Sequence, residues 1–202
     1  MKNTPTLHTE HLTLDRFTLE DVAAVRDELY TEAVCRNLFI LPNKTTEEVE
    51  ETIHWLLEGY ESKEDFHQWA VRENGRCVGR MMLTVSRRFH TGTVAYYLAE
   101  RAWGKGYMTE ILKRVIDFCF DDLGLNRVEA DHFARNPASG KVMEKAGMTK
   151  EGYARQKYCK DGAFLDAVQY AVLKEDRKSC CHSEAQPEES PITAGDPSRS
   201  SG

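Results

Sequence analysis

The sequence predicts a mixed α/β fold in which antiparallel hairpins flank one right-handed crossover near the centre of the sheet. Three observations support this fold class. Strand and helix patterns alternate along the chain, Asn74-Gly75 and Asp161-Gly162 mark two hairpin turns, and a strongly amphipathic helix follows Met108. Hydrophobic residues make up 41% of the 202 residues, which is enough for a core.

The first half of the chain is predicted to fold as β-α-α-β-β-β. Residues 12–17 alternate like a strand, and Thr18 caps a helix with apolar spacing at Val22, Val25 and Leu29. Thr45 or Thr46 caps a second helix, whose apolar positions are Val49, Ile53, Leu56, Leu57 and Tyr60. Three strands follow at residues 69–71, 77–85 and 93–99.

The second half is predicted to fold as α-β-α-β-β. Apolar residues from Met108 to Cys119 recur at three- and four-residue steps, and Gly124 ends this helix. A strand at 127–133 and a short helix at 138–146, closed by Gly147, come next. Strands at 149–158 and 164–173 complete the order.

Composition divides the chain and restricts its partners. Residues 1–176 are expected to form one domain, and residues 177–202 a disordered tail rich in Ser, Pro and Glu. The net charge of −6 disfavours a nucleic-acid partner, whereas the acidic residues between 47 and 65 either favour a cationic acceptor or form a solvated helix face. Without a membrane-spanning stretch or a signal-peptide pattern, we expect a cytoplasmic protein, either a monomer or a homodimer.

The six cysteines predict neither a disulfide framework nor a metal site. Four are isolated, and no Cys-x-x-Cys spacing occurs. Cys180, Cys181 and His182 supply three soft ligands in succession, but a tetrahedral site needs a fourth from elsewhere. We therefore expect no metal.

A glycine pair precedes the amphipathic helix. Arg101-x-x-Gly104-x-Gly106 lies between the strand predicted at 93–99 and that helix, where free backbone N–H groups and the helix dipole suit a pyrophosphate. Arg101 and Lys105 add positive charge. A plain turn is the alternative; the spacing fits neither a dinucleotide fingerprint, since Thr109 occupies the third glycine position, nor a P-loop.

A second motif occupies the next strand-to-helix junction. Asn136-Pro137-Ala138-Ser139 opens the short helix, which continues through Val142 and Lys145 to Gly147. Taken alone, Asn136 is an ordinary cap and Ser139 an ordinary first-turn residue. Two such motifs at consecutive junctions of one crossover favour a shared function.

Together the two motifs resemble the central motifs of the GNAT acetyltransferases. Trp103-Gly104-Lys105-Gly106-Tyr107 with Glu110 is similar to the RimJ/RimL-like branch, which acetylates protein N-termini among other amines. The resemblance covers about residues 9–175. It implies a mostly antiparallel, twisted sheet that is splayed at its centre and has helices on both faces. It also implies direct transfer of an acetyl group from acetyl-CoA to a primary amine in a ternary complex.

The resemblance further implies roles for individual residues. Pantetheine would pair with the backbone near Leu98, Asn136 would contact the pantetheine arm, and Ser139 would contact the sulfur. Ser139 and Asn136 are therefore the candidate catalytic residues. The pyrophosphate would bind the loop that Arg101 opens, at the backbone of Gly104, Lys105, Gly106, Tyr107 and Met108. Lys141 and Lys145 either reach the phosphates or are solvated helix charges.

One position departs from the wider family, and several questions stay open. Many members carry a proton-donating tyrosine where this chain has Met143, so Ser139 is expected to take that role. The general base is Asp131, His132 or a water chain. The acceptor is a protein N-terminus, a polyamine, an aminoglycoside or a free amino acid. A catalytically weak acetyl-CoA-binding sensor or scaffold is the rival function.

Overall fold

The computed structural model describes residues 4–177 and is centred on one eight-stranded sheet. The strands are β1 (Leu7–His8), β2 (Thr13–Asp15), β3 (Phe66–Glu73), β4 (Arg76–Ser86), β5 (Thr91–Leu98), β6 (Arg127–Phe133), β7 (Thr149–Lys160) and β8 (Ala163–Leu173). They lie in the order β1-β2-β3-β4-β5-β6-β8-β7. We expected the tail to begin at residue 177. Residues 178–202, which include Cys180 and Cys181, lie outside the described residues.

Five α-helices accompany the strands within residues 4–177. They are α1 (Val22–Ala24), α2 (Glu32–Cys35), α3 (Thr46–Ser62), α4 (Tyr107–Asp117) and α5 (Pro137–Lys145). The first predicted helix is irregular, because a 3-10 turn at Leu19–Asp21 precedes α1 and a π-helical turn at Val25–Leu29 follows it. β1 and α2 were not predicted, since elements of two and four residues are too short to show a period.

Helices cover both faces of the sheet, as predicted. Side chains of β3 point alternately to opposite faces: Trp69 and Val71 join the core cluster that contains α4 and α5, whereas Ala70 joins the cluster with α1 and α3. Ile111 and Leu112 of α4 are fully buried in the first cluster. Each such side chain contributes about 1.5–3 kcal/mol by leaving water.

The sheet opens between β5 and β6. These strands are parallel and share only three register pairs, Thr91–Arg127, Gly92–Val128 and Thr93–Glu129; the other neighbouring strands are antiparallel. Past Thr93 and Glu129 the two strands continue without pairing with each other. The mostly antiparallel sheet with a central splay is therefore confirmed, and the gap exposes backbone groups on both strands.

Candidate active site

The two glycines before α4 adopt a backbone conformation that side chains disfavour. Gly104 has φ of +75° and Gly106 has φ of +82°, and a Cβ at either position would meet no atom within 4 Å. Gly106 caps α4 without any side-chain hydrogen bond to the first turn. No capping side chain therefore occupies the N–H groups of that turn, which begin at Tyr107 and Met108 at the positive end of the helix. This geometry fits a pyrophosphate.

The cations of this loop are already engaged by carboxylates. Arg101 donates to Glu28 (2.5 Å) and to Glu73 (2.9 Å), and Lys105 donates to the other oxygen of Glu73 (2.9 Å). The Tyr107 hydroxyl also donates to Glu73, at 2.6 Å. The hydroxyl of Tyr107 and, after it, Lys105 lower the pKa of Glu73 to about 2. Sequence analysis missed Glu73, because β3 carries it to the loop from a distant part of the chain.

Leu98 ends β5 beside this loop. It pairs with Gly79 of β4, where an added Cβ would come within 2.4 Å of a Leu98 side-chain carbon and 2.6 Å of the Tyr97 carbonyl oxygen. Only glycine permits this approach of the two strands. The Leu98 carbonyl accepts a hydrogen bond of 2.8 Å from the Trp103 indole. The end of β5 is thus fixed on its β4 side and lacks a strand partner on its β6 side.

The second junction brings Ser139 to β5. Asn136 precedes α5 and makes no side-chain capping bond, so its amide is left to face the gap. Ser139 Oγ lies 3.1 Å from the hydroxyl of Tyr96 on β5. Burial raises the pKa of Tyr96 to about 12, which keeps the phenol protonated. Tyr96 was missed because its alternating strand position carries no sign of a partner on α5.

A cavity of about 610 Å³ occupies the gap and reaches both faces of the sheet. Strand alternation assigns its lining to two sides. The side toward α5, here called the α5 side, is lined by Tyr96, His132, Asn136, Ser139, Met143 and Tyr170. The opposite side, here called the acceptor side, is lined by residues 37–40 and by Arg80, Met82, Tyr97, Asp131, Phe133, Lys157 and Tyr158.

Residues 37–40 form one wall of the acceptor side. Hydrogen bonds from β7, an edge strand of the sheet, hold this segment in place. Lys160 of β7 donates to the carbonyl oxygens of Cys35 and Leu38, both at 2.6 Å. The exposed Phe39 ring packs edge-on against Phe133 and Tyr158, each at a centroid distance of 5.1 Å. Lys157 and Tyr158 of β7 thus line the acceptor side, whereas residues 87–92 do not line the cavity.

Asp131 and His132 point to opposite sides of β6. On the acceptor side, Asp131 accepts hydrogen bonds from Lys157 (2.5 Å) and from Tyr158 (2.6 Å). On the α5 side, the buried His132 has Nδ1 2.8 Å from the Phe133 carbonyl oxygen, so Nδ1 carries the proton in the neutral ring. Its Nε2 faces Gly140, where a Cβ would come within 2.8 Å. Only Asp131 therefore faces the expected acceptor.

The remaining predicted positions lie at the edges of the site. Met143 is buried against the cavity, and Lys141 and Lys145 are exposed on α5 away from it. Within residues 4–177, no three His, Cys, Asp or Glu side chains are grouped as metal ligands. No helix in that range is both long and apolar enough to cross a membrane.

Comparisons with known proteins agree with this geometry. Residues 11–149 match the family model described as an acetyltransferase (GNAT) domain. The chain is 34% identical over 122 residues to the probable N-acetyltransferase YjcK of Bacillus subtilis, which covers 59% of this chain and 67% of that protein. It is 31% identical over 88 residues to the [ribosomal protein uS5]-alanine N-acetyltransferase of Escherichia coli, covering 44% and 45%.

Solved structures share the fold. A GNAT-family acetyltransferase from Bacillus anthracis superimposes with a TM-score of 0.75 at 22% identity, over 85% of this chain and 99% of that one. At this identity the likeness speaks for the fold alone. The family match, the splayed sheet and the glycine-capped α4 lead to one conclusion: the chain belongs to the GNAT family of acetyl-CoA-dependent acyltransferases.

Proposed function

We propose that this protein transfers the acetyl group of acetyl-CoA directly to a primary amine, either a protein N-terminus or a small amine. The observation that carries the proposal is the cavity between β5 and β6, which reaches both faces of the sheet beside a glycine-capped helix. Two substrates entering from opposite faces would meet in the gap. This arrangement suits a ternary complex.

The chain's own groups would hold acetyl-CoA along this gap. The backbone N–H groups of Gly104 through Met108 would bind the pyrophosphate, with Arg101 at the start of the loop. The unpaired edge of β5 near Leu98 would pair with the pantetheine amides. The side-chain amide of Asn136 would form a hydrogen bond with the pantetheine arm from the α5 side. Lys141 would add a phosphate contact from the exposed surface of α5. Once bound, the thioester supplies an already activated acetyl group.

Proton transfers would be divided between the two sides of the cavity. On the acceptor side, Asp131 would take the amine proton, directly or through water. On the α5 side, the Ser139 hydroxyl, oriented by Tyr96, would donate a hydrogen bond to the leaving thiolate, which then takes its proton from solvent. A backbone N–H at the end of β5 would stabilise charge on the carbonyl oxygen. None of the described cysteines lines the cavity, which favours direct transfer over an acyl-cysteine route.

Both a similar relative and the shape of the acceptor side support the proposed class of acceptor amine. A relative that matches 44% of this chain acts on an alanine of a ribosomal protein, which supports an N-terminal or other unhindered amine here. The acceptor side opens past the exposed Phe39, so the mouth can admit a chain end or a small molecule. We assign catalysis to the unit at residues 1–176 and no catalytic role to the segment after it.

Thiol release from acetyl-CoA, measured against panels of peptides and small amines, tests the proposal. Mass spectrometry should find a product heavier by one acetyl group, formed at a rate that depends on both substrates. The full chain, its Ser139→Ala variant and its Asp131→Asn variant should bind acetyl-CoA alike in calorimetry. Saturable binding with no acetylated product from any amine would instead support the rival sensor or scaffold.

A further inference from the structure

The charged side chains that line the cavity are paired with one exception. Arg127 donates to Glu129 at 3.0 Å and also pairs with Glu151, and Lys157 donates to Asp131 at 2.5 Å. Each lining carboxylate therefore has a cation beside it. Arg80 is the one lining cation for which no ion pair is formed with another described residue, so its own charge is uncompensated on the acceptor side.

Arg80 is buried beside neutral groups only. Its exposed fraction is 9%, and its Nε and Nη2 donate to the Gln68 amide oxygen at 3.2 Å and 2.7 Å. The guanidinium lies 5.9 Å from the centroid of the Phe17 ring. Burial raises the pKa of the nearby Tyr97 hydroxyl, an effect that the charge of Arg80 opposes. Among residues 4–177 no carboxylate lies within ion-pair distance of Arg80.

A buried guanidinium without a carboxylate is costly unless something compensates it. Arginine is rarely buried unpaired, because removing its charge from water is unfavourable. Gln68 satisfies part of the donor set but carries no charge. An incoming carboxylate would form charge-assisted hydrogen bonds with the free part of the planar fork, the geometry that arginine binds best. The uncompensated charge therefore indicates an anionic group on a ligand.

The register of the sheet locates this charge next to the proposed reaction centre. Arg80 on β4 lies directly opposite Tyr97 on β5. Tyr97 is the residue between Tyr96 and Leu98 in that strand. Tyr97 and Arg80 face the acceptor side, whereas Tyr96 faces α5 and Ser139. A group bound at Arg80 would thus lie one strand away from the backbone proposed to hold the thioester, on the side from which the amine approaches.

We infer that the acceptor is an amine that carries a carboxylate close to its nitrogen, and that Arg80 binds this carboxylate. The inference rests on the proposed acetyl transfer and narrows its substrate class. An α-amino acid offers both groups two bonds apart, and a peptide with an acidic residue near its N-terminus offers them at a longer spacing. Cationic polyamines lack the required group.

Matched acceptor pairs test the inference. We would measure kcat/KM for L-phenylalanine against phenethylamine, and for the amidated dipeptide Ala-Asp against Ala-Asn. The wild-type chain should prefer the carboxylate member of at least one pair. The pair that shows the preference tells whether the carboxylate is that of an amino acid or that of an acidic side chain in a peptide. Arg80→Met should reduce that preference by about tenfold to a hundredfold. Because each ratio is compared between variants, differences in amine basicity within a pair cancel.

Two further variants keep the test specific. Arg80→Lys retains the charge without the fork and should keep part of the preference. Arg88→Met removes an exposed arginine that lies outside the cavity lining, so this variant should show the same carboxylate preference as the wild type. Thermal melts of each variant verify folding. The inference would be overturned if folded Arg80→Met lost kcat/KM equally for both members of every pair. It would also be overturned if the wild type showed no preference for the carboxylate member of any pair.

A binding measurement separates failure of the inference from failure of the proposed function. With CoA present, N-acetyl-L-phenylalanine or N-acetyl-Ala-Asp amide should bind the wild type and bind Arg80→Met at least about tenfold more weakly. Such binding without acetylation of any amine would overturn acetyl transfer and leave the carboxylate site standing. If amines are acetylated but the wild type and Arg80→Met bind the product equally well, acetyl transfer would stand and the carboxylate site at Arg80 would be overturned.

Discussion

The hydroxyl of Tyr96 lies 3.1 Å from the Oγ of Ser139, a contact that joins β5 to α5 across the opening in the sheet. The two residues are 43 positions apart in sequence. The resemblance implies that many family members have a proton-donating tyrosine at the position of Met143, and our proposal gives this role to Ser139 with Tyr96 orienting its hydroxyl. In the proposed mechanism the α5 side thus keeps a hydrogen-bond donor although position 143 is a methionine.

Replacing Ser139 with alanine should lower turnover more than it lowers cofactor affinity. The hydroxyl is proposed to act on the leaving sulfur, so its loss removes a stabilisation made during the reaction. We expect kcat to fall by about tenfold to a thousandfold while the Kd for acetyl-CoA changes little. Steady-state thiol release and calorimetry give the two values. Unchanged kcat would remove Ser139 from the mechanism.

Tyr96→Phe should have a smaller effect of the same kind. The variant keeps the ring and loses only the hydroxyl that orients Ser139. We expect kcat to fall about three- to tenfold, and the double variant with Ser139→Ala to be no slower than Ser139→Ala alone. Since burial raises the pKa of Tyr96 to about 12, the alkaline limb of the pH–rate profile should be the same with and without its hydroxyl. Additive losses would mean that the two hydroxyls act separately.

Gly106→Val should abolish binding of acetyl-CoA. A valine at φ of +82° is strained, and its side chain would project into the open space before α4. Gly124→Val is the matched control, because Gly124 also has positive φ and open surroundings but lies beyond the other end of α4. We expect each variant to lose about 1–2 kcal/mol of unfolding free energy. Normal binding by folded Gly106→Val, measured by calorimetry, would contradict the assignment of the phosphate loop.

Glu73→Gln should tighten the binding of acetyl-CoA. The carboxylate engages Lys105 and Arg101, so its negative charge opposes an incoming pyrophosphate. We expect Kd to fall about two- to fivefold at low salt and less at high salt. Because the pKa of Glu73 is lowered to about 2, the effect should not vary between about pH 6 and pH 8. Glu61→Gln, in an exposed pair with Arg16, should leave Kd unchanged. Weaker binding by Glu73→Gln would mean that the carboxylate organises the loop.

Asp131→Asn and His132→Gln distinguish the three candidates for the general base. Asp131 faces the acceptor side, whereas His132 packs against α5. We expect Asp131→Asn to lower kcat/KM by about a hundredfold. Folded His132→Gln should retain activity within a few-fold. Loss confined to His132→Gln would assign the base to the histidine, and full activity in both would favour a water chain.

The sequence predicted those features that depend on local backbone requirements. Gly104 and Gly106 were identifiable because few other residues adopt positive φ before a helix. The amphipathic pattern of α4 and the hairpin turns likewise express local rules, and they place the crossover correctly. The splayed sheet came from the resemblance to a family, since no spacing within one strand reveals where its neighbour departs.

Features that depend on convergence between distant strands could not be predicted. Glu73, Arg80 and Tyr96 lie on three different strands, and each gains its meaning from a partner elsewhere: Lys105, Gln68 and Ser139. In the sequence, Arg80 is one polar residue in an alternating strand. Its lack of a carboxylate appears only when every neighbouring element is in place.

The parallel junction of β5 with β6 makes the sheet two antiparallel leaves that meet at a vertex. Three residue pairs hold that vertex, and Gly92 belongs to one of them. A Cβ on Gly92 would come within 2.9 Å of a Leu83 side-chain carbon and 3.1 Å of a Leu125 side-chain carbon, so a larger residue would have to displace these side chains. A substitution at Gly92 would therefore disturb the packing where the two leaves meet, at a point that neither substrate is expected to touch.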